Sequence, residues 1–363
     1  MTDPALKYLI PKVTGFDSEL SNIVANQSIL TDNFCVAGCN TVIGFDPDTD
    51  LPIFSNSKPL AYTYDGINYV PLSNTTLFNI NKIDFNGYQW IAGGQNTSGN
   101  QSLILSSDGI NWITPINNVL PGYIQDVVWG QKKWVAIGSL VPNEAYNRIA
   151  YSSDGMNWTL STYNSDNHIG IFSSVAYNGS YFIAGGFNHI AKSTDGITWT
   201  DVDVTSIIGA VSSVTWNGRI WVASGSNTSN AFAYSSNGVT WSAVNIGLMN
   251  SASVVVYNGT KFLAAGVGLY RLISSVDGIN WTGVMLYSNE IYIAGTITDI
   301  TWNGTYWIVT TTDDSLHGKK IAYSSDLINW HSSTSATTVF DNIQYVNTIT
   351  SRNRKNYINA FTY

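Results

Sequence analysis

The phrase Ser-Ser-Asp-Gly-Ile-Asn-Trp at 106–112 recurs along the chain in close copies, one roughly every 43 residues. Even spacing at this period is typical of a repeat array, in which each unit packs on its neighbours. The acidic or amide residue that marks each copy is Asp65, Asp108, Asp154, Asp195, Asn237, Asp277 or Asp326. We therefore expect one array of small units rather than a pair of unrelated domains.

A second phrase, an aromatic-Asn-Gly turn followed by an aromatic residue and a short apolar run, alternates with the first. It is found at Asn86-Gly87, Asn178-Gly179, Asn217-Gly218, Asn258-Gly259 and Asn303-Gly304, with a variant at Gly130-Gln131 and a degenerate copy at Thr31-Asp32. Asn-Gly or Asp-Gly between alternating apolar residues predicts a hairpin, here with type I′ turns in which both central residues have positive φ. Two hairpins make four strands in each unit, and four strands in about 43 residues predict the blade of an all-β propeller.

The two ends of the sequence predict how the ring of blades closes. Asn353–Ala360 aligns with the Asn-Gly phrase, and Ala5–Ile10 resembles the strand that leads into an Asp-Gly hairpin. We expect a single propeller domain over 1–363, closed by an N-terminal segment at 1–22 and a C-terminal hairpin at 340–363. The repeat length favours eight blades, and seven is the alternative. Closure removes the unpaired edges that an open array of sheets would expose.

Composition excludes several classes of partner. Charged residues are only 11% of the chain, the net charge is −8, and no basic run exceeds two lysines, so no phosphate-binding surface is expected and nucleic acid is excluded. No apolar stretch approaches a membrane span and no signal peptide begins the sequence, so neither membrane insertion nor export by a leader is expected. Cys35 and Cys39 lie four residues apart on a predicted strand, about 13 Å between Cα atoms, so we expect two reduced core thiols.

The Ser-x-Asp-Gly-x-Asn/Thr-Trp phrase resembles the Asp-box, or BNR repeat, of sialidase-like propellers, and the resemblance covers nearly the whole chain. The usual box, Ser-x-Asp-x-Gly-x-Thr-Trp, has one more residue between Asp and Gly. In that family the carboxylate tethers the turn and the tryptophan packs against neighbouring strands. The resemblance implies structural roles for Asp65, Asp108, Asp154, Asp195, Asp277 and Asp326, and for Trp112, Trp158, Trp199, Trp241, Trp281 and Trp330.

The alternation of the two phrases is also similar to propellers of large DNA viruses and tailed phages. That resemblance, with a neutral polar surface and no leader sequence, implies a virion component that becomes extracellular after lysis; a cytoplasmic protein is the alternative.

A catalytic site is not evident in the sequence. Sialidases bind the substrate carboxylate with three arginines and use a Tyr–Glu nucleophile pair with a separate aspartate. Here Arg148, Arg219 and Arg271 lie beside hairpin phrases, and no pair of carboxylates in contrasting environments is recognisable. We expect a protein that is not an enzyme and needs no cofactor, with a sialidase-like glycoside hydrolase as the less favoured alternative.

One short segment has the spacing of a calcium loop. Asp46, Asp48 and Asp50 alternate as at the start of an EF-hand loop, but Leu51 stands where that loop has glycine and Ser57 where it has its bidentate glutamate. These three residues are a candidate calcium site, and a plain acidic loop is the alternative.

Both hairpin turns of each unit are expected on one face of the ring, so the irregular connections gather on the opposite face, where binding residues concentrate. Their Asn, Ser and aromatic content suits a glycan or a flat protein receptor. The candidate ligand-binding residues are Tyr146, Tyr163, His168, Phe187, His189, Tyr270 and His317. The expected function is a recognition propeller that binds a glycan or a receptor, and the alternative is an architectural protein that docks onto other virion proteins.

Overall fold

The computed structural model describes residues 33–45, 52–54, 58–72, 76–96, 101–139, 148–163, 172–187, 189–226, 230–286, 295–312, 320–340 and 346–352. The chain divides into two compact units, Met1–Thr31 and Asp32–Tyr363. All of the described residues lie in the second unit.

Almost every element is a short strand. In chain order the elements are β1 (Cys35–Cys39), β2 (Val42–Phe45), β3 (Pro52–Phe54), β4 (Leu60–Thr63), β5 (Tyr69–Leu72), β6 (Asn79–Phe85), β7 (Trp90–Gln95), β8 (Leu103–Ser106), β9 (Tyr123–Gly130), β10 (Lys133–Ser139), β11 (Arg148–Ser152), β12 (Thr159–Leu160), β13 (Thr162–Tyr163), β14 (Phe172–Tyr177), β15 (Phe182–Gly186), β16 (His189–Ser193), β17 (Thr198–Asp203), β18 (Ala210–Trp216), β19 (Trp221–Ser226), β20 (Phe232–Ser235), β21 (Ser242–Val244), β22 (Met249–Tyr257), β23 (Phe262–Gly268), β24 (Leu272–Ser275), β25 (Thr282–Val284), β26 (Ile297–Trp302), β27 (Trp307–Thr311), β28 (Ile321–Ser324), β29 (His331–Ser332), α1 (Thr334–Val339) and β30 (Val346–Ser351).

The strands form antiparallel meanders in which each strand pairs with the next along the chain. We number these meanders as blades: blade two is β6–β8, blade three β9–β12, blade four β14–β17, blade five β18–β21, blade six β22–β25 and blade seven β26–β29. Blade one is assembled differently, in the order β30-β1-β4-β5. The repeated phrases place one hairpin turn before the second strand and one before the fourth, which is why the same meander recurs.

The first strands of the meanders form a closed ring. In the described part of the chain, β6, β9, β14, β18, β22, β26 and β30 each contact the next in this order, and β30 contacts β6. A ring of radial four-stranded meanders around a central channel is a β-propeller, which confirms the all-β propeller class expected from the repeats.

The described residues contain seven blades, which corresponds to the seven-blade alternative and not to the favoured count of eight. The reason is that β30 needs no separate half-blade beside it. Cys35 pairs with Ser351 and Gly38 with Thr348, so β30 is the inner strand of the blade whose other strands are β1, β4 and β5. The proposed closing segment at 1–22 and the end of the proposed hairpin, 353–363, lie outside the described residues.

Aromatic residues fill the spaces between adjacent blades. Ile91 of blade two packs in one cluster with Trp134 and Trp158 of blade three, and Trp199 of blade four packs with Val135 of blade three. Trp90, Trp134, Trp158, Trp199, Trp221 and Trp330 are among the most completely buried large side chains. Burying such a side chain stabilises the fold by roughly 2–3 kcal/mol, so the buried tryptophans of both repeated phrases hold neighbouring blades together.

The predicted type I′ geometry is wrong for the Asn-Gly turns. Gly218 has positive φ but Asn217 does not, because Asn217 lies at the first corner of the turn. Its Oδ1 accepts hydrogen bonds from the backbone N–H groups of Arg219 and Ile220. The variant turn of blade three does have two positive φ angles, at Gln131 and Lys132.

Cys35 and Cys39 are buried and carry free thiols, as expected from their spacing. Burial raises the pKa of the Cys35 thiol to about 12 and raises the pKa of the Cys39 thiol further. Both are core residues of blade one.

Candidate functional site

The blades have two distinct ends. The Asn-Gly turns and the Asp-Gly phrases lie together at one end, which we call the turn end. The longer connections between the second and third strands, and between blades, lie at the other, which we call the loop end. Each end offers different chemistry.

At the turn end, the aspartate of each phrase is bound to its own turn, as blade three illustrates. Asp154 Oδ1 accepts hydrogen bonds from the backbone N–H of Met156 and Asn157 (both 2.8 Å) and from Ser152 Oγ, while Oδ2 accepts one from Asn157 Nδ2. The side-chain and backbone donors of Asn157 lower the pKa of Asp154 to about 2. Trp158 Nε1 donates to the carbonyl of Gly155.

The two backbone hydrogen bonds to the side-chain Oδ1 are repeated in every blade. At four further positions partial burial by itself would raise the pKa of the carboxyl group. The hydrogen bonds donated by the turn outweigh this effect, so the pKa lies below its ordinary value. These positions are Asp65, Asp108, Asp195 and Asp277. At Asp326 the hydrogen bonds from Asn329 and Ile328 lower the pKa. Asn237 replaces aspartate in blade five and keeps the two backbone hydrogen bonds through its Oδ1. The turn end therefore presents repeated, internally bonded turns and no converging site.

A cavity runs along the axis of the ring and is lined by residues of all seven inner strands. Equivalent positions on these strands hold Lys82, Asp126, Ser174, Ser213, Val254, Asp299 and Thr348. The space open to water-sized molecules is about 90 Å³. That volume accommodates several waters and is too small for an oligosaccharide.

Buried carboxylates lining this cavity or lying next to its lining residues connect neighbouring blades. Asp126 Oδ2 accepts a hydrogen bond from the backbone N–H of Val175 in the next blade (2.8 Å), and Asp84 Oδ2 accepts one from Trp129 (3.0 Å). Ser174 Oγ accepts the N–H of Val214 in the same way. These side chains are buried, and their acceptor atoms satisfy backbone groups that would otherwise be unpaired between sheets.

Asp299 closes the ring between blades seven and one. Its Oδ2 accepts hydrogen bonds from Ile349 N (3.0 Å) and Thr348 Oγ1 (2.9 Å), its Oδ1 accepts one from Ile300 N, and Lys82 Nζ lies 3.8 Å from Oδ2. Among its described residues the cavity is thus lined by one lysine, Lys82, and two carboxylates, Asp126 and Asp299, and each carboxylate accepts backbone hydrogen bonds. No cluster of His, Cys, Asp and Glu in the described part of the chain could hold a metal ion.

At the loop end, blade four brings together two of the residues predicted from the sequence. The ring of Tyr163 packs edge-on against Phe172 (5.8 Å between centroids), and Phe172 packs against His189 (4.8 Å). Tyr163 Oη donates a hydrogen bond to Asp201. Phe187, the third predicted residue of this blade, is 58% exposed and pairs by one β-bridge with Ala210 of blade five.

Blade six carries the fourth predicted residue, Tyr270, whose ring lies directly on the backbone of Gly283. On the same blade the side chains of Val267, Leu269 and Met285 are 58%, 76% and 64% exposed. Val267 lies near the end of β23, Leu269 lies in the connection from β23 to β24, and Met285 directly follows β25. All three therefore lie at the loop end of one sheet. We call these three residues the blade-six patch.

The remaining predicted residues, Tyr146, His168 and His317, and the candidate calcium ligands Asp46, Asp48 and Asp50, lie outside the described residues. The arginines considered for a sialidase do not converge. Arg219 lies in a turn at the turn end, whereas Arg271 lies at the loop end and donates from Nη1 to the carbonyl of Gly295.

Sequence reasoning missed the buried carboxylates of the cavity and the blade-six patch. Asp126 and Asp299 each lie three residues before the aromatic residue at the end of an inner strand, and Ser174 and Ser213 lie at the same position. Aligning the repeat units with one another would have shown that this position is polar in several blades. Leu269 and Met285 gave no signal, because single apolar residues in connections are common.

Neither a model of a known protein family nor a curated relative matches the sequence. Among solved structures, the chain is similar to YCF48 bound to D1 peptide, with a TM-score of 0.56 and 15% identity over 79% of this chain and 96% of that one. It is also similar to an ancestral GH74 enzyme (TM-score 0.54, 13% identity), over 87% of this chain but only 47% of the enzyme. A computationally designed protein, Ika8, has a TM-score of 0.51 at 10% identity, over 81% of this chain and 87% of Ika8.

The shared feature is the β-propeller fold. At this level of identity the likeness concerns the backbone alone, and it joins an enzyme to a protein in complex with a peptide, so function depends on the side chains of this propeller. Among the described residues, no helix has the length and apolar character required to cross a bilayer.

Proposed function

We propose that the protein is a non-catalytic recognition propeller whose loop end binds a protein partner. The blade-six patch is the observation that carries this proposal. Three apolar side chains at the loop end of one sheet each have more than half of their surface in water, and exposed apolar patches mark interaction surfaces. The rigid ring beneath them holds the patch in place without an ordering cost.

A protein partner is favoured over a glycan by the kind of side chains exposed. Sugars stack on exposed aromatic faces, and of the four described aromatic candidates Phe187 is the one that is mainly exposed, whereas Tyr163, His189 and Tyr270 are half-buried. Val267, Leu269 and Met285 offer aliphatic and thioether surface, which suits a protein contact. The similar fold of YCF48 in complex with a peptide supports the same choice.

Two observations support a non-catalytic role. The carboxylates of the central cavity accept hydrogen bonds from neighbouring blades, so they lack the unlike environments that divide acid from base in a glycosidase. Arg219 and Arg271 lie at opposite ends of the blades and do not form a carboxylate-binding cluster. The hydrolase alternative predicts turnover of a fluorogenic sialoside that is lost in Arg219→Ala or Arg271→Ala.

The experiment is to select peptides from a displayed random library on the full-length protein and to measure their affinity for variants. Leu269→Asp with Met285→Asp should weaken binding about tenfold or more, because a hot-spot apolar contact is replaced by charge. Ile328→Asp is the matched control, since Ile328 is 71% exposed but lies at the turn end. Selected peptides that bind the wild-type protein and the Leu269→Asp, Met285→Asp variant equally would contradict the proposal. Binding to a glycan array that is lost when Phe187 is replaced would favour the glycan alternative instead.

A location in the virion is proposed on the sequence resemblance and on the neutral, polar composition. The test is an immunoblot of purified particles. Absence of the protein from them would contradict this part of the proposal and leave the recognition role untouched.

A further inference from the structure

The outer edge of blade three is covered by a segment that arrives from blade two. Ile116 N donates a hydrogen bond to the carbonyl of Met156 (3.0 Å), and Asn117 Oδ1 accepts one from the N–H of Trp158 (2.6 Å). These two groups have fixed places in the repeated Ser-x-Asp-Gly-x-Asn/Thr-Trp phrase, whose aspartate and last aromatic residue we call the box aspartate and the box aromatic residue. The carbonyl belongs to the second residue after the box aspartate, and the N–H belongs to the box aromatic residue. We call this pair of backbone groups the edge socket of a blade.

Two other edge sockets are filled in the same way. In blade one, Ser335 Oγ accepts the N–H of Tyr69 (2.8 Å) and donates to the carbonyl of Ile67 (3.1 Å). In blade four, Thr162 N donates to the carbonyl of Ile197 (2.8 Å), and β13 continues as a fifth strand parallel to β17. An Asn, Ser or Thr residue of a neighbouring segment therefore occupies the socket in each of these blades.

The edge socket of blade five is different. Its groups are the carbonyl of Val239 and the N–H of Trp241, and no hydrogen bond from the described residues reaches either of them. The cause is the short connection that enters the blade. The chain passes from Asp203 at the end of β17 to Ala210 at the start of β18, and Ile207 and Ile208 donate back to Val204, so this connection turns at the loop end and never runs along the edge.

At the socket of blade five, Trp241 is buried at 6% exposure, whereas the side chain of Val239 is 52% exposed. Trp241 Nε1 is buried and makes no hydrogen bond with the described residues, although the corresponding atoms of Trp158 and Trp199 donate to glycine carbonyls. Blade five thus combines an open strand edge with a buried tryptophan whose indole N–H has no hydrogen-bond partner among the described residues.

We propose that the edge socket of blade five receives an extended segment of a partner polypeptide, added parallel to β21 as β13 is added to β17. The occupant is an uncharged extended segment with Asn, Ser or Thr at the residue that reaches the carbonyl of Val239. Strand addition to an exposed edge supplies affinity through backbone hydrogen bonds. This site is separate from the blade-six patch and does not depend on the proposed function.

Blade five is preferred over blade six, whose entering connection from Val244 to Met249 is also short. In blade six the box is complete, because Trp281 Nε1 donates to Gly278. In blade four, Asp201 accepts the hydrogen bond that holds the incoming Tyr163. The equivalent residue of blade six is Gly283, and the ring of Tyr270 already lies on it. In blade five that position is Ala243, which is exposed and leaves the edge open.

The probe is a fluorescein-labelled peptide with the uncharged sequence of residues 159–165, which includes the chain's own β13 segment, titrated against the full-length protein by fluorescence anisotropy. In an antiparallel pair, residues that hydrogen-bond to the partner strand alternate with residues whose N–H points away from it. Ala243 lies between Ser242 and Val244, which face β20 with their backbone groups, so the Ala243 N–H points outward. Ala243→Pro removes this donor at an edge where proline is tolerated, and Ala243→Ser is the matched variant that keeps it.

We expect saturable binding that is weakened about tenfold or more by Ala243→Pro and unchanged by Ala243→Ser. The same peptide with proline in place of Thr162 should lose binding to a similar extent, which tests the contact even if Ala243→Pro fails to fold. No binding of the unmodified peptide, or equal binding of the two peptides, would overturn the proposal. Loss of binding in Leu269→Asp with Met285→Asp, but not in Ala243→Pro, would assign the peptide to the blade-six patch instead.

Discussion

Asp299 on the inner strand of blade seven accepts a 3.0 Å hydrogen bond from the backbone N–H of Ile349 on the inner strand of blade one. These strands come from the two blades that meet where the ring closes, so this contact joins the last complete meander to the blade that contains both early and late strands. The same carboxylate accepts the hydroxyl of Thr348 and the N–H of Ile300. Its side chain therefore accepts three hydrogen bonds, two of them from blade one.

Asp299→Ala should lower the free energy of unfolding by about 2–4 kcal/mol, because it leaves buried donors of two blades without an acceptor. Ser213→Ala, at the same position of blade five, should cost about 1 kcal/mol, since the hydroxyl makes only two long hydrogen bonds: it accepts one from Val255 N (3.3 Å) and donates one to the carbonyl of Val255 (3.4 Å). Urea denaturation of both variants measures the difference. Equal costs would show that Asp299 has no special part in closing the ring.

The aspartates of the turns should make stability depend on acid. The pKa of Asp154 is lowered to about 2 in the folded protein by its bonds to Asn157, below the ordinary value of 3.8. A lowered pKa means that the folded state favours the ionised form, so its contribution to stability is complete above about pH 4 and is lost as the pH falls to about 2. Asp154→Asn keeps an acceptor for the two backbone N–H groups, as Asn237 does in blade five, but removes the titrating group.

The expected result is a shallower loss of unfolding free energy between pH 5 and pH 2 in Asp154→Asn than in the wild-type protein, measured by denaturation at a series of pH values. Asp154→Ala should be less stable than Asp154→Asn at neutral pH, by about 1 kcal/mol, because it loses the turn hydrogen bonds as well. Parallel pH profiles of Asp154→Asn and wild type would refute the role of this carboxylate.

Lys132→Gly should stabilise the protein by about 1 kcal/mol. Lys132 has a φ of 58° in the turn of blade three, a left-handed conformation that costs a residue with a Cβ about 1 kcal/mol and glycine very little. Its side chain is exposed, so no packing is lost. Thermal unfolding measures the change, and Lys132→Ala is the control that removes the side chain beyond Cβ and should leave the melting temperature nearly unchanged.

The two thiols should be unreactive in the folded protein. Burial raises the pKa of Cys35 to about 12, so almost no thiolate is present near pH 8, and both sulfur atoms are shielded from reagent. Ellman's reagent should detect no thiol in the native protein and two after denaturation in guanidinium chloride. Fast reaction of either cysteine without denaturant would contradict the burial of β1 in blade one.

The sequence predicts the local features of this fold because they are encoded within a few residues. Asp108, Gly109 and Trp112 form one hydrogen-bonded turn, and copies of that turn fix the strand number and the period of the repeat. The turn type at Asn217 was predicted wrongly, since the Asn-Gly pair was placed at the two central positions, whereas Asn217 occupies the first corner and bonds through its side chain.

Features that join distant parts of the chain could not be predicted in this way. Gly38 faces Thr348 in a blade whose inner strand comes from the far end of the sequence, and no local pattern states that pairing. The repeat length does not fix the number of blades for the same reason, because arithmetic on repeat length cannot distinguish long connections from additional strands. For the candidate site, Tyr163 and His189 were found as loop-end residues, but their contact through Phe172 depends on the packing of three strands.

The pairing of β1 with β30 also sets the order of events while the protein is being made. β1, β4 and β5 are synthesised before β6 to β29, whereas their inner partner, β30, follows all of these strands. Until β30 arrives, one long edge of β1 is available to any other strand, including that of a second nascent chain on the same message. Six blades can form as synthesis proceeds, whereas the ring becomes a closed object only when its latest strand is added to its earliest sheet.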